Sequence, residues 1–242
     1  KLSQTAAGRQ SIADELQLCD IPKSASDAIG ALGWGSDAIS YMAMGDFPYP
    51  SSYLTNGMCE LPPWPVEVGC SRAKLEKNPL AALREMVAVF LNCSGQRKCF
   101  ELGQSVNNET TTVSNLWGYL ACTEMLIPFS TDGKNDMFWE APFDLSQYSN
   151  DCNSRFHIRP RPFEPIVRFG GIRALRSASN IVFSNGSLDP WRAGGIVTPI
   201  TGADSIIVIV IEKGAHHLDL MFSHPQDPAS VTKARQVEVE NI

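Results

Sequence analysis

Two apolar, β-branched runs, each broken off by a turn that carries an ionisable side chain, constrain this chain more than any other feature. Asn180-Ile-Val-Phe183 leads into Ser184-Asn185-Gly186-Ser187-Leu188-Asp189-Pro190-Trp191. Ser205-Ile-Ile-Val-Ile-Val-Ile-Glu212 leads through Lys213-Gly214 into Ala215-His216-His217-Leu218-Asp219. Short runs of this kind read as strands, and the near absence of polar alternation reads as strands covered on both faces of a parallel sheet. In open α/β sheets the functional groups lie beyond the carboxyl ends of the strands. The pattern therefore predicts Asp189 and His216 on neighbouring strand tips, the orienting half of a Ser-acid-His triad.

A histidine near neutral pKa takes a hydroxyl proton and returns it to a leaving amine. A carboxylate on its other nitrogen fixes the tautomer and stabilises the imidazolium. The order acid then histidine is that of α/β-hydrolases, whose serine sits earlier on a Gly-x-Ser-x-Gly elbow. No serine here has glycine two residues before and two after. The chain holds two thirds of a triad. Adjacent residues on an extended segment point opposite ways, so only one of His216 and His217 can serve a nucleophile. A metal reading of His216, His217 and Asp219 lacks the spacing that sets ligands on one helix face. No metal and no cofactor are expected.

Beyond these residues, the chain resembles the lysosomal serine exopeptidase family of prolyl carboxypeptidase and dipeptidyl peptidase II. The resemblance rests on Asn-Gly-Ser-Leu-Asp-Pro-Trp (185–191), Gly194-Gly195, Gly-Ala-His-His-Leu-Asp-Leu (214–220) and Asp-Pro-Ala-Ser-Val (227–231). Ala-Cys-Thr-Glu (121–124), Asp-Met-Phe (136–138) and Arg-Pro-Arg-Pro (159–162) extend it nearly end to end. It implies the C-terminal part of an α/β-hydrolase fold, a mostly parallel sheet with a helical cap domain. Residues 1–95 are the expected cap, incomplete at its N-terminus, and 96–242 the expected hydrolase part. The nucleophile, and any signal peptide, is expected before Lys1, so the chain by itself is expected to be inactive. Family matching selects His216 as base. His217 is then structural, anchoring the loop.

Ser223-His-Pro-Gln-Asp-Pro-Ala-Ser-Val231 and Arg176-Ser-Ala-Ser-Asn180 look more like the dipeptidyl peptidase II branch. The carboxypeptidase branch is expected to carry a cysteine where Ser130 stands. The implied activity is release of N-terminal dipeptides with penultimate proline or alanine; the alternative is a Pro-X carboxypeptidase. An alternative of another class is a catalytically dead secreted binding module on the same scaffold. Trp191 is the candidate wall for proline, its aromatic face suiting a pyrrolidine ring, with a core tryptophan as the plainer reading. Trp117, Glu124, Met137 and Phe138 are candidates for lining the cleft, against simple core packing. Glu124 would face the substrate's free α-amine, although its motif is shared with the carboxypeptidase branch. His157 and His224 read as surface histidines. The family pattern pairs Cys122 with Cys152 and Cys19 with Cys99, and leaves Cys70 without a mate here. Cys59 and Cys93 have no counterpart in it, and a bond between the two is one option.

Seven cysteines without a Cys-x-x-Cys pair argue against zinc ribbons and suit an oxidising compartment. Of three Asn-x-Ser/Thr sequons, Asn92 and Asn108 are candidate glycosylation sites; Asn185, inside the proposed turn, is expected bare. Lysosome or secretory vesicles follow, with secretion as a further option. A net charge of −6 and the lack of a basic run argue against nucleic acid. No apolar run reaches the roughly 18 residues of a membrane span. The partners expected are a peptide substrate, the missing N-terminal half of the fold and a second copy in a homodimer. Activity at lysosomal pH poses a problem, since a histidine of ordinary pKa is only about 3% neutral at pH 5. His216 is therefore expected to be deeply buried, with desolvation outweighing Asp189.

The rest of the chain sets the frame. Residues 1–95 read as helical: Ser11–Leu18, then Asp27–Met44 with Ile29, Leu32, Ile39, Met42 and Ala43 inward. A stand-alone bundle and a cap fit that pattern equally. Phe47-Pro-Tyr-Pro50 and Leu61-Pro-Pro-Trp-Pro65 read as a rigid surface loop. Asn78-Pro79 opens a helix with Leu80, Leu83, Val87, Phe90 and Leu91 on its apolar face. From 96 to 180 the signal is loops and short elements, Arg159–Pro162 being a stiff connector. A last helix follows Asp227-Pro228, with Val231, Ala234 and Val237 inward and Lys233, Arg235 and Glu238 outward.

Overall fold

The computed structural model describes residues 1–102 and 111–241, and side chains from 116 in the second stretch. Helix α1 (Ala6–Leu16) opens where the Thr5 side chain accepts from Gly8 N–H. Helix α2 (Ala25–Met44) opens on a capping box between Ser24 and Asp27. Its buried face is made of Ala28, Ala31, Trp34, Gly35, Ala38, Ile39 and Met42, whereas Ile29 and Leu32 are exposed. The large residues were expected inward, but the small face lets a neighbouring helix come close. At Gly35 a Cβ would stand 3.2 Å from the Leu83 side chain of helix α4 (Pro79–Leu91). Asn78 caps α4 by accepting from Leu80 N–H, with Pro79 in the first turn. Val87, Phe90 and Leu91 are buried. Leu80 and Leu83 pack against Ile12, Leu16, Ala28 and Ala31.

The proline-aromatic loop is not on the surface. Phe47 and Leu61 are each 1% exposed, and Tyr49, Thr55 and Pro65 are buried with them. Burial of a phenylalanine or leucine side chain stabilises by about 1.5–3 kcal/mol, which outweighs the preference of proline-rich segments for solvent. Ser51 and Leu61 exchange backbone hydrogen bonds, and Trp64 N–H donates to Phe47 O. The last proline starts helix α3 (Pro65–Ala73), whose Val66 N–H is taken by Asp46. Sequence reading missed α3 because proline marks both loops and first helical turns. Disulfides join Cys19 to Cys99 and Cys59 to Cys93, and Cys70 is a free thiol.

Strands β1 (Ile181–Gly186) and β2 (Ile206–Ile211) pair in parallel, from Ile181 opposite Ile206 to Gly186 opposite Ile211. The expectation of strands covered on both faces is corrected. β1 is part-buried up to Gly186, and Val210 is 45% exposed. Among the described residues the sheet has these two strands, too few to be enclosed by helices on both faces. Helix α9 (Ala229–Glu240) covers one side. Its Val231 and Ala234 share a core with Ile211, Ala215, Leu218, Phe47 and Tyr49.

The stretch read as loops and short elements holds four helices, α5 (Thr111–Thr123), α6 (Leu145–Phe156), α7 (Glu164–Phe169) and α8 (Gly171–Leu175), the last two short as expected. Asp144 caps α6 by accepting from Ser146 and Gln147 N–H, and the Cys122–Cys152 disulfide ties α5 to α6. Of these, α6 is polar, and α7 and α8 are too short to show an apolar period. Two compact units result. Lys1–Asn107, Asn180–Pro199 and Ser205–Ile242 form one; Asn108–Ser179 with Ile200–Asp204 form the other. The first stays together because Phe47 and Tyr49 share their core with β2 and α9.

Candidate active site

The site is built from the two turns after β1 and β2. Past Gly186, Ser187 N–H donates to Ile211 O and Leu188 N–H to Gly214 O, while Ser187 Oγ accepts from Lys213 N–H. These bonds lock the turns together. A Cβ on Gly186 would run into the Gly214 carbonyl, so only glycine permits the approach. Asp189 caps the short 3-10 turn Pro190–Gly194, its Oδ1 accepting from Trp191 N–H at 2.9 Å. His216 N–H donates to Met44 O, the last residue of α2.

Asp189 and His216 meet across this seam. His216 Nδ1 lies 3.0 Å from Asp189 Oδ2 and 3.1 Å from Oδ1. A carboxylate draws the proton to Nδ1 and leaves the Nε2 lone pair free, the arrangement of a general base held by an acid. Trp191 donates its indole N–H to Met44 Sδ, and its ring centre is 6.2 Å from that of His216. His217 takes a left-handed backbone, φ 39°, so the expectation of opposite directions on an extended segment is corrected: its ring packs beside that of His216, 4.1 Å between centres. Its Nε2 is 3.2 Å from Tyr53 Oη. Burial, and then the charge of His216, push the His217 pKa below the ordinary histidine value.

The sequence matches the model of one peptidase family, serine carboxypeptidase S28, over residues 1–238. The chain belongs to the serine carboxypeptidase S28 family. It is 37% identical over 249 residues to the lysosomal Pro-X carboxypeptidase of Homo sapiens, covering all of this chain and 48% of that protein. Prolyl carboxy peptidase like protein 5 of Caenorhabditis elegans is 34% identical over 266 residues, covering all of this chain and 50% of its own length. The thymus-specific serine protease of Homo sapiens is 26% identical over 172 residues, 65% of this chain and 32% of its own. The chain spans about half the length of the first two relatives.

In this S28 chain Asp189, His216 and Trp191 come together. His216 is not deeply buried: its side chain keeps 25% exposure, with the rings of Trp191 and His217 6.2 and 4.1 Å from its own. Trp117, Glu124, Met137 and Phe138 belong to the second compact unit. There Trp117 is 48% and Met137 68% exposed, Glu124 is exposed and Phe138 is part-buried. Asn92 ends α4, its side chain bonded to the backbone of Arg97. Asn108 lies outside the described residues. Asn185 donates to Ile196 O and so closes the loop after β1. Among the described residues no three His, Cys, Asp or Glu side chains are grouped to hold a metal, and no helix is long and apolar enough to cross a membrane.

Sequence reading missed the support behind the histidine. Arg235 was expected outward, yet it donates to Leu218 O, Asp219 O and Asp227 Oδ2. Its guanidinium reaches the Leu218 and Asp219 carbonyls of the 3-10 turn Leu218–Leu220, which helical periodicity cannot reveal. Glu238, also expected outward, buries its Oε1. Asp227 does not cap α9. Pro228 takes that place, and the Asp227 carboxylate accepts from His224 N–H and Arg235. His224 is not a plain surface histidine, since it packs on Tyr49 at 3.9 Å between ring centres.

Proposed function

We propose that the protein carrying this chain is a serine exopeptidase that cuts beside proline, with His216 as general base and Asp189 as its orienting acid. The observation that carries this reading is the Asp189–His216 pair at 3.0 Å on the tips of two parallel strands. The fold that suits it is an α/β-hydrolase, with the helices before residue 95 as part of a cap. The nucleophilic serine would come from chain beyond these 242 residues. His216 Nε2 would take its proton during attack on the peptide carbonyl, then deliver that proton to the departing amine. Asp189 would balance the imidazolium charge in between, and Trp191 would wall the proline ring.

The direction of the cut is favoured by the relatives: two S28 proteins at 34–37% identity are named for prolyl carboxypeptidase activity. A C-terminal residue after proline is therefore the first substrate class, and the lysosome, named in the human relative, the first compartment. Removal of N-terminal dipeptides is the second reading. It rests on the 223–231 segment and on Ser130, which accepts a hydrogen bond from Phe143 N–H. Matched peptides, one blocked at the N-terminus and one amidated at the C-terminus, separate the two. A carboxypeptidase cuts the first and spares the second, and a dipeptidyl peptidase does the reverse. Failure to cut either, with D189N indistinguishable from the native protein, would sink the whole reading.

A further inference from the structure

The back of the histidine loop holds a cluster that the proposed chemistry does not use. Asp219, three residues beyond His216, is 6% exposed and accepts from Ser184 Oγ of β1 at 2.7 Å. Glu238 on α9 faces the same point, within hydrogen-bonding reach of both Asp219 and Ser184. Its Oε1 is buried and finds no donor among the described residues. Two carboxylates this close repel each other, and one shared proton removes the repulsion and supplies the missing bond.

The other charged groups around the pair do not replace that proton. Arg235 lies on the same helix and favours the ionised form, but its donors are committed to Leu218 O, Asp219 O and Asp227. Beyond it are Asp227, His224 and Tyr49, which pack on one another. On the front of the loop stand His216, His217 and Asp189. Burial first, and then Asp219, raise the Glu238 pKa above the ordinary carboxylate value, while Ser184 and Arg235 oppose this more weakly. The proton is thus held further toward neutral pH than a free glutamate would hold it.

We propose that Glu238 is a positioning residue for His216: its carboxylic acid donates to Asp219 and clamps α9 and β1 onto the loop that carries the histidine. The clamp closes in acid and opens as the proton leaves. Leu218, fully buried between Asp219 and the histidines, transmits the hold, and Arg235 fixes the two carbonyls beside it. The catalytic consequence rests on the exopeptidase reading. The clamp itself does not.

The test compares Glu238→Gln and Glu238→Ala with the native sequence in the intact protein. Glutamine keeps a donor at every pH. Its melting temperature should equal the native value near pH 4.5 and exceed it by about 2–4 °C near pH 7.5, as for one hydrogen bond in a domain of this size. On a proline peptide, E238Q should carry activity to higher pH than the native protein, with KM unchanged. E238A should lose kcat at every pH, and E238Q should restore it in acid. A melting gap equal at both pH values, or a neutral-side limb that does not move in E238Q, overturns the proposal. If the native protein cuts no proline peptide, the exopeptidase reading falls and the melting gap alone still decides the clamp.

Discussion

The two sides of the loop 214–220 are built on opposite principles. On its front, Asp189 and His216 keep 11% and 25% side-chain exposure, and the nitrogen that would do chemistry has no hydrogen-bond partner among the described residues. On its back, Asp219 is almost sealed, Asp227 keeps 3% side-chain exposure, and all three guanidinium nitrogens of Arg235 donate to carbonyls or a carboxylate. A reactive group must be reachable, so its surroundings stay loose. The elements that aim it must be fixed, so theirs are closed. The two sides also respond to protons in opposite senses. His217 at the front has a lowered pKa, so its contribution is full above the ordinary histidine value and is lost as pH falls through the lowered one. Glu238 at the back has a raised pKa, so its contribution is full below the ordinary carboxylate range and is lost as pH rises through the raised value.

The contrast breaks most visibly at the front. Asp189→Asn keeps the shape but leaves the wrong tautomer of His216 facing the nucleophile. Turnover of a proline peptide should fall about 10⁴-fold with little change in melting temperature. A loss under tenfold would remove Asp189 from the chemistry. At the back the order reverses. Arg235→Ala should cost about 3–5 kcal/mol in urea unfolding, because Asp227 would be left buried and charged. A cost under 1 kcal/mol would mean that water reaches the pair.

Smaller effects sharpen the picture. Tyr53→Phe removes the hydroxyl bonded to His217 and should cost about 1 kcal/mol in the same unfolding assay, with turnover within a few-fold of native. A collapse of turnover would give Tyr53 a role in catalysis. Smallest is the pH effect of His217→Gln: below about pH 6.5 its melting temperature should fall less steeply than that of the native protein. Parallel melting curves in acid would show that His217 does not drive the front-side pH dependence.

Some of this was legible in the residues themselves. Asn78-Pro79 starts α4 as read, since an amide cap and a first-turn proline act within one turn of chain. The end of β2 before Lys213-Gly214 was readable for the same reason, whereas β1 runs on through Ser184, Asn185 and Gly186, read as turn, because they pair with Ile209, Val210 and Ile211. The buried face of α2 was not, because apolar periodicity reports which residues dislike water and not how near a neighbour comes. Ala28, Ala31 and Gly35 won over Ile29 and Leu32 through that closeness. Phe47 and Leu61 went inward against the loop signal, since a core formed by β2 and α9 was there to receive them.

What the sequence settled alone is local: where β2 stops, and that an acid follows one strand and a histidine the other. Tertiary structure decided which histidine meets the acid. The parallel register sets Gly186 beside Ile211, and this brings Asp189 to His216 across 27 residues of chain. It likewise turned Arg235 and Glu238 inward, because their partners are carbonyls and a carboxylate of a turn that exists only once the strands have paired. Hydrogen-bond partners that distant are chosen by packing, and no window of neighbouring residues contains them.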